Sequence, residues 1–144
     1  MTEKNYKDTP EWQKAFELAI AVSELTKKLA KAEGIHVRAT AQHIYNRDAE
    51  SVVFDIATAE GRKESQADYL RFLLIAQGTT FRLETRLLLD VKRDFVQQED
   101  VSTALKLCDE LGEMLSSKIE KLSAEARTLR LNRQIRPINF PPEE

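Results

Sequence analysis

Apolar residues recur every three or four positions over a long stretch near the C-terminal end of this 144-residue chain. That spacing puts them on one side of an α-helix of about eight turns. The stripe comprises Val101, Leu105, Cys108, Leu111, Leu115, Ile119, Leu122, Ala126 and Leu129. A helix with one apolar side becomes stable mainly by packing that side against other helices. The chain is therefore expected to form a helical bundle.

A first helix is predicted to begin at Pro10, because Thr9 is placed to cap it and proline suits the first helical position. Gly34 is expected to end it. Its predicted inner stripe is Trp12, Phe16, Ala19, Val22, Leu25 and Leu29. A second helix is predicted from about His36 to Ala59, with an inner side made of Val37, Ala41, Ile44, Val52, Ile56 and Ala59.

Ser65 and Asp68 form a capping-box pattern that marks the start of a third helix, and Asp100 is a candidate cap for the fourth. Long helices joined by short loops are typical of an up-and-down antiparallel four-helix bundle, an all-α fold. The bundle is predicted to span residues 9–131. An N-terminal tail of residues 1–8 precedes it, and an extended, Pro-rich C-terminal tail of residues 132–144 follows it.

The third helix has more apolar surface than one bundle side needs. Seven of the eight residues from Tyr69 to Ala76 are apolar, so two sides of that segment must be covered. We expect a second copy of the chain to cover the outer side, although a central helix could also be surrounded within one chain. The predicted oligomer interface is Tyr69, Leu70, Leu74, Gly78 and Leu88. The polar middle of the second helix, with Asp48, is either plain surface or a second contact between subunits.

The formal net charge of −2 argues against a uniformly basic nucleic-acid binder. Between Lys118 and Arg136, however, six basic residues face only two acidic ones. Arginines grip phosphates with paired hydrogen bonds, so this end is a candidate RNA- or DNA-binding site. Its residues are Arg127, Arg130, Arg133 and Arg136. The alternative is that these cations complement the negative end of the helix dipole.

Nothing in the sequence predicts catalysis. His36 and His43 supply two ligands where zinc sites use three or four protein ligands, so no metal is expected. Cys108 lies on the apolar stripe of the fourth helix and is expected to be a small buried hydrophobe. No phosphate-binding loop or nucleophile elbow is present. We predict a protein that is not an enzyme and needs no cofactor.

The charged N-terminal residues lack the apolar core of a signal peptide, and no apolar stretch approaches the roughly 20 residues needed to cross a bilayer. The single cysteine fits a reducing compartment. A cytoplasmic protein without a membrane contact is therefore expected.

Several short motifs resemble one protein family. The run Trp12-Gln13-Lys14-Ala15 is similar to the opening of the four-helix-bundle proteins encoded in intervening sequences of bacterial 23S rRNA genes. The more specific match is the third helix, where Tyr69-Leu70-Arg71-Phe72-Leu73 and Gly78-Thr79 resemble that family's aromatic-x-Arg-Phe-Leu helix. The resemblance spans about Trp12 to Leu122.

The resemblance implies a ring-like homopentamer. It also implies kinship with the accessory protein of diversity-generating retroelements, a basic pentamer that engages nucleic acid and a reverse transcriptase. Because this chain is acidic overall, a nucleic-acid role would depend on its Arg-rich end. We predict a non-catalytic oligomeric scaffold, with two alternatives: nucleic-acid binding through that end, or a protein-interaction scaffold or accessory subunit without nucleic-acid contact.

Overall fold

The structure, a computed structural model, describes the backbone of residues 5–31 and 35–135 and the side chains of residues 5–31 and 43–132. These residues form a short 3-10 turn at Tyr6–Asp8 and four helices without a strand. The helices are α1 (Pro10–Ala30), α2 (Ile35–Gly61), α3 (Gln66–Lys92) and α4 (Gln98–Ile135). Both α1 and α3 pack against α2 and α4, so α1 and α3 lie diagonally across the bundle. The predicted all-α four-helix bundle is confirmed.

Of the two cap residues predicted for α3 and α4, Ser65 is confirmed and Asp100 is not. Ser65 Oγ accepts a hydrogen bond from the backbone N–H of Asp68 at 3.3 Å, as expected of a helix cap. Asp100, by contrast, lies inside the first turn of α4, and its carboxylate pairs with Lys28 of α1. Its negative charge still favours the helix N-terminus, but its side chain also ties α4 to α1.

The prediction that the Thr9 side chain caps α1 is wrong. Its hydroxyl donates to the carbonyl of Tyr6 at 2.8 Å, because the preceding 3-10 turn brings that carbonyl within reach. α1 ends at Ala30, and the predicted stop at Gly34 lies outside the described residues.

The inner side of α1 differs from the predicted stripe. Phe16 is exposed and Trp12 is half-buried, whereas Ala15 and Leu18 are fully buried. The buried apolar residues of α1 are Ala15, Leu18, Val22, Leu25 and Leu29. In α2 the core positions Val52, Ile56 and Ala59 are confirmed, Ile44 is half-buried, and Val37 and Ala41 lie outside the described side chains.

α4 is longer than predicted. It runs as far as Ile135, where the sequence predicted an extended tail from Asn132. The segment up to Ile135 contains no helix breaker, and Pro137 disfavours helical geometry only at the residue before it. Leu129, predicted to face the core, is 51% exposed because this part of α4 extends past the start of α3.

Asp48 is neither plain surface nor exposed for another subunit. Its side chain is 1% exposed and pairs within the chain with two arginines of α3. Arg86 Nε lies 3.1 Å from its Oδ2 atom, and Arg82 Nη2 lies 3.5 Å from its Oδ1 atom. Beside this group the buried Tyr45 hydroxyl donates to Asp90. The polar middle of α2 is thus partly a link to α3.

A second polar cluster takes one residue from each helix. Lys118 Nζ of α4 lies 3.3 Å from Glu11 Oε2 of α1 and 3.6 Å from Glu60 Oε1 of α2. The Tyr69 hydroxyl of α3 donates to the same Glu60 oxygen at 2.7 Å. Burial raises the pKa of Tyr69 to about 12, which keeps its phenol neutral and able to donate.

Candidate interaction surfaces

An apolar row runs along the outer side of α3. We use the name α3 row for Leu74, Ile75, Phe81, Leu88 and Leu89, which are 45–49% exposed. Leu74, Phe81 and Leu88 are seven residues apart, the spacing that keeps side chains on one seam between packed helices. Exposed apolar rows of this kind are more common at interaction sites than elsewhere on small domains.

The five residues of the predicted interface do not all lie on this outer side. Leu74, Gly78 and Leu88 are exposed and Leu70 is half-buried. Tyr69 is buried, where its hydroxyl bonds Glu60 and its ring lies under Lys118, with 5.6 Å between Nζ and the ring centroid. The structure therefore brings four of the five to the outer side of α3 and places Tyr69 in the bundle.

Gly78 lies in the middle of the α3 row and faces open space. A Cβ atom added there would meet nothing within 4 Å. Glycine inside a helix costs about 1 kcal/mol relative to alanine, and no close backbone within the described chain compensates for it. The missing side chain leaves the backbone of α3 open on its outer side at this position.

Gly112 of α4, by contrast, is covered. A Cβ atom added there would lie 3.2 Å from Cε1 of Phe81. The missing side chain leaves space for the Phe81 ring to lie against α4, at the edge of a groove with acidic sides formed by Glu84, Asp109 and Glu113. Sequence reasoning missed this contact, although a glycine inside the longest helix was a signal for it.

A second apolar surface lies on α1 and α2. Trp12 and Phe16 are stacked with centroids 5.0 Å apart, and Tyr6 meets Trp12 edge-on at 5.9 Å. Phe16 and Ile20 are about half-exposed, and Phe54 of α2 is 64% exposed. We call Trp12, Phe16, Ile20 and Phe54 the aromatic face.

The register of α1 and α2 places the members of the aromatic face at one height. The Asn46 side-chain amide donates to Thr26 Oγ1 at 3.1 Å. Because the two helices are antiparallel, Phe16, ten residues before Thr26, lies level with residue 56 and close to Phe54. Since α1 lies diagonally opposite α3, the aromatic face and the α3 row point away from opposite sides of the bundle.

The Arg-rich end lies on the C-terminal part of α4, which extends past the start of α3. Gln77 Nε2 donates to Ser116 Oγ at 2.8 Å, which fixes the register of α3 against α4. Eleven residues from each of these positions, Gln66 at the start of α3 lies level with Arg127. The last eight residues of α4 therefore project by about 12 Å. Arg127 and Arg130 are exposed there, while the Arg133 side chain and Arg136 lie outside the described part.

A groove of about 660 Å³ lies where this end of α4 passes the start of α3. Its surface is mainly apolar, and Arg71 and Arg130 bring positive charge to it. It is lined by Gln66, Ala67, Leu70, Arg71, Leu74, Ile75, Ala126, Leu129 and Arg130. We call it the α3–α4 groove.

The described side chains do not bring nucleophiles, histidines or metal ligands together in one place. Cys108 is fully buried, as predicted, and burial together with the nearby Glu84 raises the pKa of its thiol to about 12. His43 is exposed, and the His36 side chain lies outside the described set. Among the described residues, no three His, Cys, Asp or Glu side chains are grouped as a metal site would need.

In the described part of the chain, none of the helices has the length and apolar character of a membrane span.

A protein-family profile described as "23S rRNA-intervening sequence protein" matches residues 7–117, which cover α1 to α3 and the first half of α4. The chain belongs to this family. The aromatic face and the α3 row of this intervening-sequence protein lie inside the matched region, whereas Arg127 and Arg130 lie beyond it.

A solved structure with the same fold is described as a protein with unknown function from the S23 ribosomal protein family from Bacteroides thetaiotaomicron VPI-5482. It is 24% identical to this intervening-sequence protein, covers 79% of this chain and 98% of that one, and has a TM-score of 0.70. A search of curated proteins gives no match.

Proposed function

We propose that this protein is a non-catalytic scaffold assembled from identical copies, in which the α3 row of one copy packs against the aromatic face of the next. The observation that carries the proposal is the pair of large exposed apolar surfaces on opposite sides of one small bundle. Apolar surface of this extent is favourably removed from water, at about 25 cal/mol per Å².

Contact between two different surfaces makes a head-to-tail assembly, which closes into a ring when the rotation between neighbours allows it. The family resemblance favours five copies. A ring of five would also bring five Arg-rich ends together on one side, so that weak contacts by each copy would add to a strong one.

Light scattering on the purified protein tests the assembly. Five copies of a 16.5 kDa chain give about 80 kDa. Leu74→Lys with Leu88→Lys should disrupt the α3 row, and Phe16→Lys with Ile20→Lys should disrupt the aromatic face. Leu131→Lys, the same chemical change at an exposed leucine outside both surfaces, is the matched control. A wild type that stays soluble at 16.5 kDa at micromolar concentration contradicts the proposal.

Mixing the two double variants tests the head-to-tail arrangement. Each variant keeps one intact surface, and the two intact surfaces are complementary, so an equimolar mixture should form a heterodimer. If each surface instead paired with its own kind, both variants would still form homodimers through their intact surface, and mixing would add no new species.

Gly78→Ala separates helix stability from assembly. Alanine should stabilise α3 by about 1 kcal/mol, because nothing within the chain obstructs a Cβ atom there. If another copy packs closely at Gly78, the same substitution should weaken the assembly, as seen in dissociation at a higher chain concentration on dilution. A more stable helix with unchanged assembly places Gly78 outside the contact.

A second candidate function is nucleic-acid binding through Arg127, Arg130, Arg133 and Arg136. It is supported by the projection of α4, which carries exposed arginines away from the acidic bundle. A gel-shift series at rising salt should show affinity falling steeply for the wild type. The Arg→Ala quadruple variant should bind far more weakly, and Lys92→Ala with Arg93→Ala, at the other end of α3, should not. Affinity unchanged in the quadruple variant rules out this site.

The alternative is a protein-interaction scaffold or accessory subunit that uses α2 and the C-terminal tail. Asp48 is already paired within the chain, but its neighbours Arg47 and Glu50 are exposed on that helix. Pull-downs with the full chain and with a variant lacking residues 137–144 test the tail, and an identical partner list counts against it.

A further inference from the structure

The α3–α4 groove combines apolar and positively charged side chains, so it suits a ligand that has both apolar and acidic groups. Its apolar surface is offered by Ala67, Leu70 and Leu129, while Arg71 and Arg130 supply positive charge. Arg71 is held in place by stacking on Phe72, at 4.9 Å from the ring centroid, and by Asp68, 3.4 Å from Nη2. A guanidinium has five N–H donors, so Arg71 can bind a further carboxylate. The groove therefore fits a segment with an aromatic side chain followed by acidic ones.

The chain itself contains such a segment. Residues 138–144 read Ile-Asn-Phe-Pro-Pro-Glu-Glu, which places Phe140 three residues before Glu143. We propose that this segment docks in the α3–α4 groove of its own chain, with Phe140 on the apolar surface and Glu143 near Arg71. Leu74 and Ile75 line the groove and also belong to the α3 row, so the segment sits on Ala67, Leu129 and Arg71 and leaves those two residues to a neighbouring copy.

The chain is long enough for this contact. Phe140 follows Ile135, the end of α4, by five residues, which span up to about 17 Å when extended. Leu129 lies six residues before Ile135, or about 9 Å back along the helix. A reversal directly after Ile135 would therefore let Phe140 reach the part of the groove lined by Leu129 and Ala126.

The spacing between the apolar and acidic parts of the segment matches the groove. Pro141 and Pro142 favour a polyproline II conformation, in which Glu143 lies about 9 Å beyond Phe140. Given the register set by Gln77 and Ser116, Arg71 lies level with position 122 of α4, seven residues or about 10 Å from Leu129. Because the segment is tethered beside the groove, its effective concentration is high enough for a modest contact to persist.

Cysteine labelling in the full chain tests the proposal. Ala67→Cys places a thiol in the groove, and Ser102→Cys places one at an exposed position near the opposite end of α4. A docked segment should slow maleimide labelling at position 67. Phe140→Ser should raise that labelling rate by about tenfold, because burial of the aromatic side chain determines what fraction of chains has the segment docked. Labelling at position 102 should not change. Buried Cys108 stays unreactive and serves as an internal reference.

Charge variants test the acidic contact. Glu143→Gln with Glu144→Gln, or Arg71→Ala, should also speed labelling at position 67, whereas Arg127→Ala should not, because Arg127 is exposed but does not line the groove. A rate at position 67 that is insensitive to Phe140→Ser overturns the proposal, whatever its absolute value.

A disulfide test identifies which chain donates the segment. Asn139→Cys combined with Ala67→Cys should form an internal bridge on mild oxidation, visible as a monomer of higher mobility on a non-reducing gel. A covalent dimer as the main product would mean that a neighbour donates the segment, and would overturn docking in the same chain.

Discussion

The most informative stability experiment concerns Asp48 and its two arginines. The carboxylate is 1% exposed, whereas the side chains of Arg86 and Arg82 are 36% and 57% exposed. Removing the arginines would therefore leave a buried carboxylate without a cation, whereas removing Asp48 would leave arginines that water can solvate. We predict that replacing both arginines destabilises the protein more than replacing Asp48.

The expected magnitudes follow from that difference in burial. With Arg82→Met and Arg86→Met, a carboxylate is left in the bundle without a cation, and breaking a buried pair in this way costs about 3–5 kcal/mol. With Asp48→Asn, the arginines can turn into water and an amide still hydrogen-bonds, so the cost should be about 1–2 kcal/mol. Arg86→Met alone should fall between these values, because Arg82 still reaches Asp48 at 3.5 Å.

Urea unfolding followed by circular dichroism at pH 7 measures these changes, with every variant at the same chain concentration. Arg62→Met, at an exposed arginine, is the control for losing a guanidinium. The triple variant with Asp48→Asn, Arg82→Met and Arg86→Met should be more stable than the double arginine variant, because it no longer buries a charge. An Asp48→Asn variant less stable than the double arginine variant would refute this reasoning.

Three further predictions concern single buried or packed groups. The folded pKa of Tyr69, about 12, lies above the ordinary value of 10, so its stabilising contribution should be complete below pH 10 and lost as the pH rises towards 12; Tyr69→Phe should remove this alkaline dependence from the urea midpoint. Because the pKa of the Cys108 thiol is raised to about 12, a thiol reagent at pH 8 should react with it in urea and not in the folded protein, and rapid native labelling would contradict its burial. Gly112→Ala should gain up to about 1 kcal/mol of helix propensity, less whatever it costs to move the half-exposed Phe81 ring; in a Phe81→Ala background the gain should be complete, and an equal gain in both backgrounds would show that the contact is unimportant.

The helix count and the family were predictable because they depend on long repeats and short motifs. Which side of α1 faces inward was not. Trp12 and Phe16 recur at helical spacing, as Ala15 and Leu18 do, and the predicted stripe contained the bulkier pair, whereas its later members Val22, Leu25 and Leu29 are buried as predicted. The smaller side chains are the ones that let the helices approach, so they are buried, and the aromatic set is left outside.

The burial of the Asp48 carboxylate is the second feature that the sequence did not predict. Asp48 lies on the same side of α2 as Tyr45 and Val52, a periodicity that hinted at burial, but its partner Arg86 is 38 residues away in sequence. No local pattern predicts such a pair. The exposed position of Leu129 was missed for a similar reason, because it depends on α3 starting level with Arg127.

The cluster of Glu11, Glu60, Tyr69 and Lys118 has a consequence for how the four helices are aligned along their length. Apolar stripes that repeat every three or four residues can still pack when one helix slides by a turn along another. The cluster removes that freedom, because Lys118 reaches Glu11 and Glu60 only when one group from each helix meets at a single height. A chain with one helix shifted by a turn would bury some of these groups without a partner, so the cluster selects one alignment of the four helices.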